Sequence, residues 1–117
     1  MSTAPTPRIV KVNELLYRTL GTLIAREVEF PPNCFVSISH VETARDLAHA
    51  NVFITILPDS KRVTGMRVLS RDLPHLQHLL GKKIKMHNTP KLHLVFDRAQ
   101  MTAQHLFDVM DRIHKTN

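Results

Sequence analysis

Ala48, Ala50, Val52, Ile54 and Ile56 occupy every second position of one stretch, and this alternation limits most what the chain can fold into. Period two places all five on a single face of a β-strand. A strand with one apolar face needs a neighbouring strand and a layer that covers it. The neighbour comes just before: Phe35 to Glu42 is rich in β-branched residues, with serine on alternate sites. Its alternation fails near His40-Val41, where a bulge or bend is expected. Thr43-Ala44-Arg45-Asp46-Leu47 is a short polar connection, so the two strands are expected to pair as an antiparallel hairpin.

The covering layer is read from helical spacing. Over 8–29, Val12, Leu15, Leu16, Leu20 and Leu23 form a stripe, interrupted by Gly21 and stopped at Pro31-Pro32-Asn33. Pro58-Asp59-Ser60 opens a second helix, with Asp59 or Ser60 as its cap, carrying Val63, Met66, Val68 and Leu69 to about Ser70. Asp72-Leu73-Pro74 then predicts a break, because proline disfavours helix in the residue before it yet suits a first turn. Two helices are therefore expected to meet at a kink. The latter, capped by Asp72, bears Leu76, Leu79, Leu80 and Ile84, with Lys82, Lys83 and Lys85 in its last turns. Leu92, Leu94 and Phe96 mark a third strand, and Ala103, Leu106, Met110 and Ile113 a final helix over 100–114. The expected fold is a two-layer α+β domain over 8–117, a three-stranded sheet with helices on one face, after a disordered lead-in at 1–7.

Composition narrows the class. Of 117 residues, 43% are apolar and 22% charged, which is globular rather than disordered. The single cysteine, Cys34, excludes a disulfide framework and a cysteine-based zinc module. The expected compartment is the cytoplasm, since the opening residues lack the apolar stretch of a secretory signal. No run approaches the roughly 20 apolar residues that span a bilayer, so no membrane association is expected.

The net charge of +6 is concentrated in one block. Residues 59–98 carry nine basic and three acidic side chains, whereas 1–58 and 99–117 are each balanced. Such a block fits a polyanionic partner, against the plainer alternative of a solvated face. Catalytic patterns do not emerge: three isolated glycines make no phosphate loop, and Asp108 with Asp111 pair more naturally with Arg112 and Lys115 than with a substrate. His75 and His78 share a helix face but lack a visible third ligand, so no metal or cofactor is expected. Cys34 has no adjacent base and is read as a packed thiol. Phe53 and Phe96 lie on strands, where packing is the favoured role over base stacking. What remains is a non-enzymatic polyanion binder with no small-molecule substrate. Its phosphate contacts are expected from Lys82, Lys83 and Lys85, then Arg67, Arg71 and Arg45, with Lys61 and Arg62 weaker. A generic single-strand nucleic-acid binder uses the same surface and is the alternative. No apolar stripe is left over after the core is assigned, so the chain is expected to be a monomer.

The ordered set of segments resembles the ribosome-binding factor A family. Val41-Glu42-Thr43-Ala44-Arg45-Asp46-Leu47-Ala48-His49-Ala50-Asn51-Val52-Phe53-Ile54 is similar to its strand, Arg-Asp-Leu turn and second strand. Leu79-Leu80-Gly81-Lys82-Lys83-Ile84, Thr89-Pro90-Lys91-Leu92 and Phe96-Asp97 are similar to its basic helix end and third strand. The resemblance covers roughly residues 8–114. It implies a type II KH-like fold, α-β-β-α-α-β, to which the residues here add a C-terminal helix. It also implies docking on the immature small ribosomal subunit and its rRNA, in support of late maturation and rRNA processing. The family's helix kink is an Ala-x-Gly; here the corresponding residues are Asp72, Leu73 and Pro74. Asp72 repels phosphate and Pro74 offers no N–H, which moves the expected contacts to the flanking lysines and arginines.

Overall fold

The structure is a computed structural model and describes residues 5–98. Helix α1 spans Pro7–Glu27. Thr6 caps it, its hydroxyl accepting from the Ile9 N–H at 3.3 Å, and Pro7 takes a first-turn position that needs no donor. The apolar stripe becomes a buried face: Leu16, Leu20 and Leu23 are at most 2% exposed. The helix ends two residues before the expected limit, where Val28 turns extended while its N–H still reaches the Ile24 carbonyl.

Strand β1 (Phe35–Thr43) pairs antiparallel with β2 (His49–Leu57), as the hairpin reading requires. The register shifts between Ile38 and His40, one residue earlier than expected. The cause is in the spacing. Ile38 and Val41 both face the core, opposite Ile54 and Val52, although three positions separate them. An odd spacing on one face needs one extra residue, and Ser39 supplies it. Its hydroxyl lies 2.8 Å from the carboxylate of buried Asp97 and 3.2 Å from the Phe53 carbonyl, fixing the bulge from across the sheet.

Strand β3 (Lys91–Phe96) lies parallel to β2, giving the order β1-β2-β3. A parallel return needs a crossover, and helix α2 (Arg62–Lys83) makes it. Two expectations are corrected here. Neither Asp59 nor Ser60 caps the helix: Asp59–Lys61 form a short 3-10 turn, and Lys61 stands at the cap position without a side-chain hydrogen bond. Nor do two helices meet at Asp72-Leu73-Pro74. One helix runs through, with Pro74 inside it. Leu69, on one side of the proline, and Leu76 and Leu80, on the other, are at most 1% exposed. Burying apolar residues on both sides outweighs the local preference of a proline for a boundary. Gly65 lets this helix lie close on β2, because a Cβ there would stand 2.8 Å from Ile56 Cδ1. The expected helix over 100–114 and the first four residues of the lead-in lie outside the described residues.

Two predictions follow from the packing. Gly21 is in α1 and exposed, and a Cβ there would meet nothing within 4 Å. Gly21→Ala should therefore raise stability by about 0.5–1 kcal/mol, read as a shift in urea midpoint at constant slope. Cys34 is 7% exposed, and burial pushes its thiol up, with Lys61 opposing weakly. In the native protein it should react with a thiol reagent far more slowly than in urea; equal rates would mean the site is open.

Candidate nucleic-acid interface

The crossover decides which basic residues meet. α2 runs from the end of the sheet where β2 finishes to the end where β3 begins. Its last turn carries Lys82 and Lys83; Ile84 is 6% exposed and anchors the chain in the core, and Lys85 follows. Lys82, Lys83 and Lys85 are all exposed, and none has an acidic partner among the described residues. Lysines here also suit the negative end of the helix dipole, an effect of about 0.3–1 kcal/mol each.

Gln77 fixes this end. Its amide donates to the Pro90 carbonyl and accepts from the Leu92 N–H, both at 2.9 Å, tying the start of β3 to α2. The β1–β2 turn arrives at the same place, since the Lys91 N–H donates to the Ala48 carbonyl at 2.9 Å. Within that turn the Asp46 carboxylate accepts from the Ala48 N–H, and Leu47 adopts a φ of 60°. Asp46 and Leu47 thus shape the turn, and Arg45 is exposed on it. Lys91 is exposed too, paired in register with His49, and His49 Nδ1 lies 2.9 Å from His93 Nε2. Sequence reasoning counted Lys91 in the basic block but did not single it out. The signal was its position as the first residue of a strand whose alternation turns Leu92 inward.

Other expected residues lie elsewhere. Arg71 is 11 positions before Lys82, about 16 Å along the helix, and Arg67 is one turn further. Arg71 Nε donates to Asp72 Oδ1 at 3.0 Å, and that bond pushes the guanidinium above its ordinary pKa. Its charge is therefore partly met within the chain, although both it and Arg67 are exposed. Of the three residues at the expected kink, Leu73 packs against the core, Asp72 is half-buried and Pro74 is exposed. Arg62 is at the opposite end, its guanidinium 5.2 Å from the Phe96 ring centre. His75 Nε2 lies 3.7 Å from a Glu27 carboxylate oxygen, and no cluster of three metal-ligating side chains forms among the described residues.

Fold and surface together define a small α+β protein with a basic end built from the last turn of α2, the start of β3 and the β1–β2 turn. Comparison gives the lineage. The family model of ribosome-binding factor A matches residues 8–110. A ribosome-binding factor A from Pseudomonas paraeruginosa is 35% identical over 108 residues, 90% of this chain and 84% of the relative. The crystal structure of ribosome-binding factor A from Thermus thermophilus is similar with a TM-score of 0.66 at 21% identity, over 78% of this chain and 97% of that one. Thermus thermophilus ribosome binding factor A as fitted into a cryo-EM map of a 30S complex gives 0.63 at 22% identity, over 76% and 94%. The chain belongs to the ribosome-binding factor A family.

Proposed function

We propose that the chain is a non-enzymatic assembly factor of the cytoplasm, acting as a monomer. It binds the immature small ribosomal subunit through rRNA and assists late maturation and rRNA processing. The observation that carries this reading is the basic end, where Lys82, Lys83 and Lys85 stand exposed beside Lys91 and Arg45, without acidic partners for the lysines among the described residues. The names of its relatives, and the neighbour fitted into a 30S complex, support the choice of partner.

The element order supports a type II KH-like scaffold in which one helix through Pro74 stands where that class has two. KH modules clamp nucleic-acid backbone at a G-x-x-G loop. Here Pro74 has no N–H to offer, and Asp72 is occupied with Arg71. Backbone contact accordingly moves to the lysines at the far end of α2. Such contacts position the protein on RNA without reading its sequence, so specificity comes from subunit shape.

Co-sedimentation with small subunits, large subunits and free RNA, at low and high salt, tests the proposal. Preferential, salt-sensitive pelleting with the small subunit is expected. Equal binding to every RNA would replace the assembly-factor reading with a generic binder.

A further inference from the structure

Helix α1 and the outer strand β1 leave a groove of about 570 Å3 between them. That volume falls in the usual range for small-molecule sites, roughly 300–1,000 Å3. Tyr17 and Phe35 line it, and both are unusually open for large apolar side chains, at 46% and 38% exposed. Gly21 lines it as well. Glycine within a helix is unfavourable, yet no packing among the described residues asks for it here, since a Cβ would meet none of them within 4 Å and its φ is not positive. What a side chain at 21 would enter is the open space of the groove. The groove also connects to the basic end: Arg18 and Thr22 line both it and the neighbouring depression that reaches Lys83.

We propose that this groove takes an unpaired nucleobase of the bound RNA, stacked against Tyr17 and Phe35, with the adjoining phosphate on Arg18. The inference rests on the RNA-binding reading above and adds a second point of contact to it. Bases offer a π-face to aromatic side chains whatever their identity, so such a site holds single-stranded RNA without reading sequence. The path from Lys83 over Arg18 to the groove fits a strand whose backbone follows the cations while one base turns inward. It also gives Gly21 a role: the helix forgoes a side chain there to keep the groove open.

Tyr17 is the single tyrosine of a chain without tryptophan, so intrinsic fluorescence reports this groove directly. The experiment titrates the full chain with a ten-nucleotide adenylate oligomer, corrected for absorption by the nucleotide, and compares Gly21→Leu, Phe35→Ala and the Lys82→Ala/Lys83→Ala double variant. Saturable quenching is expected. Gly21→Leu and Phe35→Ala should each weaken oligomer and small-subunit binding by about tenfold, with the salt slope kept. A melting temperature for Gly21→Leu no lower than that of the unaltered chain excludes misfolding as the cause. Oligomer binding by Gly21→Leu at unaltered affinity overturns the groove proposal. If the unaltered chain still pellets with small subunits in a salt-sensitive way, the RNA reading survives; if its pelleting does not respond to salt, that reading fails too. Loss of subunit binding by Gly21→Leu with oligomer quenching intact would mean a peptide strand on the β1 edge, and the nucleobase proposal falls.

Discussion

Replacing Lys82 and Lys83 together by alanine is expected to weaken small-subunit binding about forty-fold near 0.1 M salt and to leave the fold intact. The cause is counterion release. Each lost phosphate contact lowers the slope of log affinity against log salt by about 0.7–0.9, so two contacts remove about 1.6. Extrapolated to 1 M salt the variant and the unaltered protein should converge, because what was removed is electrostatic. At a tenth of that concentration the same slope amounts to about 1.6 decades, or roughly 2 kcal/mol. Both side chains are exposed and lack acidic partners among the described residues, so their removal costs little stability beyond the helix-dipole term. Lys82→Arg with Lys83→Arg should keep the slope, since charge is retained. Parallel salt plots for the alanine variant and the unaltered chain would remove these two lysines from the interface. Lys85, Lys91 and Arg45 would then be the residues to test.

The strands were legible because their signal is local: Ala50, Val52, Ile54 and Ile56 are buried on one face as the alternation requires, whereas Ala48, expected with them, precedes β2 and is exposed. The bulge was read one residue late, since the sequence shows that alternation fails but only the pairing of Ile38 with Ile54 and of Val41 with Val52 shows where. Helix α2 shows the opposite case. A proline rule describes one residue's preference, while the burial of Leu69, Leu76 and Leu80 is a property of the packed layer. The interface divides in the same way. The lysine run was visible as charge. Its meeting with Lys91 and Arg45 depends on a crossover that returns β3 parallel to β2, which no spacing announces. Arg67 and Arg71 rank behind the lysines in sequence, and the structure places both along α2 away from its end, with Arg71 bonded to Asp72.

Pro74→Ala should stabilise the protein by about 2 kcal/mol, a large change for one exposed side chain. Proline inside a helix removes one backbone hydrogen bond and crowds the carbonyl four residues earlier, here that of Ser70, at a cost of about 3 kcal/mol. Against this, proline restricts the unfolded chain, and losing that restriction returns roughly 0.4–1 kcal/mol. Pro74 is exposed, so alanine forfeits little packing, while Leu73 and Leu76 keep their places in the core. The expected gain corresponds to about 10 °C in Tm for a domain of this size. Unchanged stability would mean that α2 has relaxed around the proline and lost the strain assigned to it. The functional consequence separates two roles for this stretch. If the lysines at the end of α2 carry RNA binding, the stabilised variant should bind small subunits as the unaltered chain does. A variant that gains stability but loses binding would place the local shape of the helix at Pro74 in the interface.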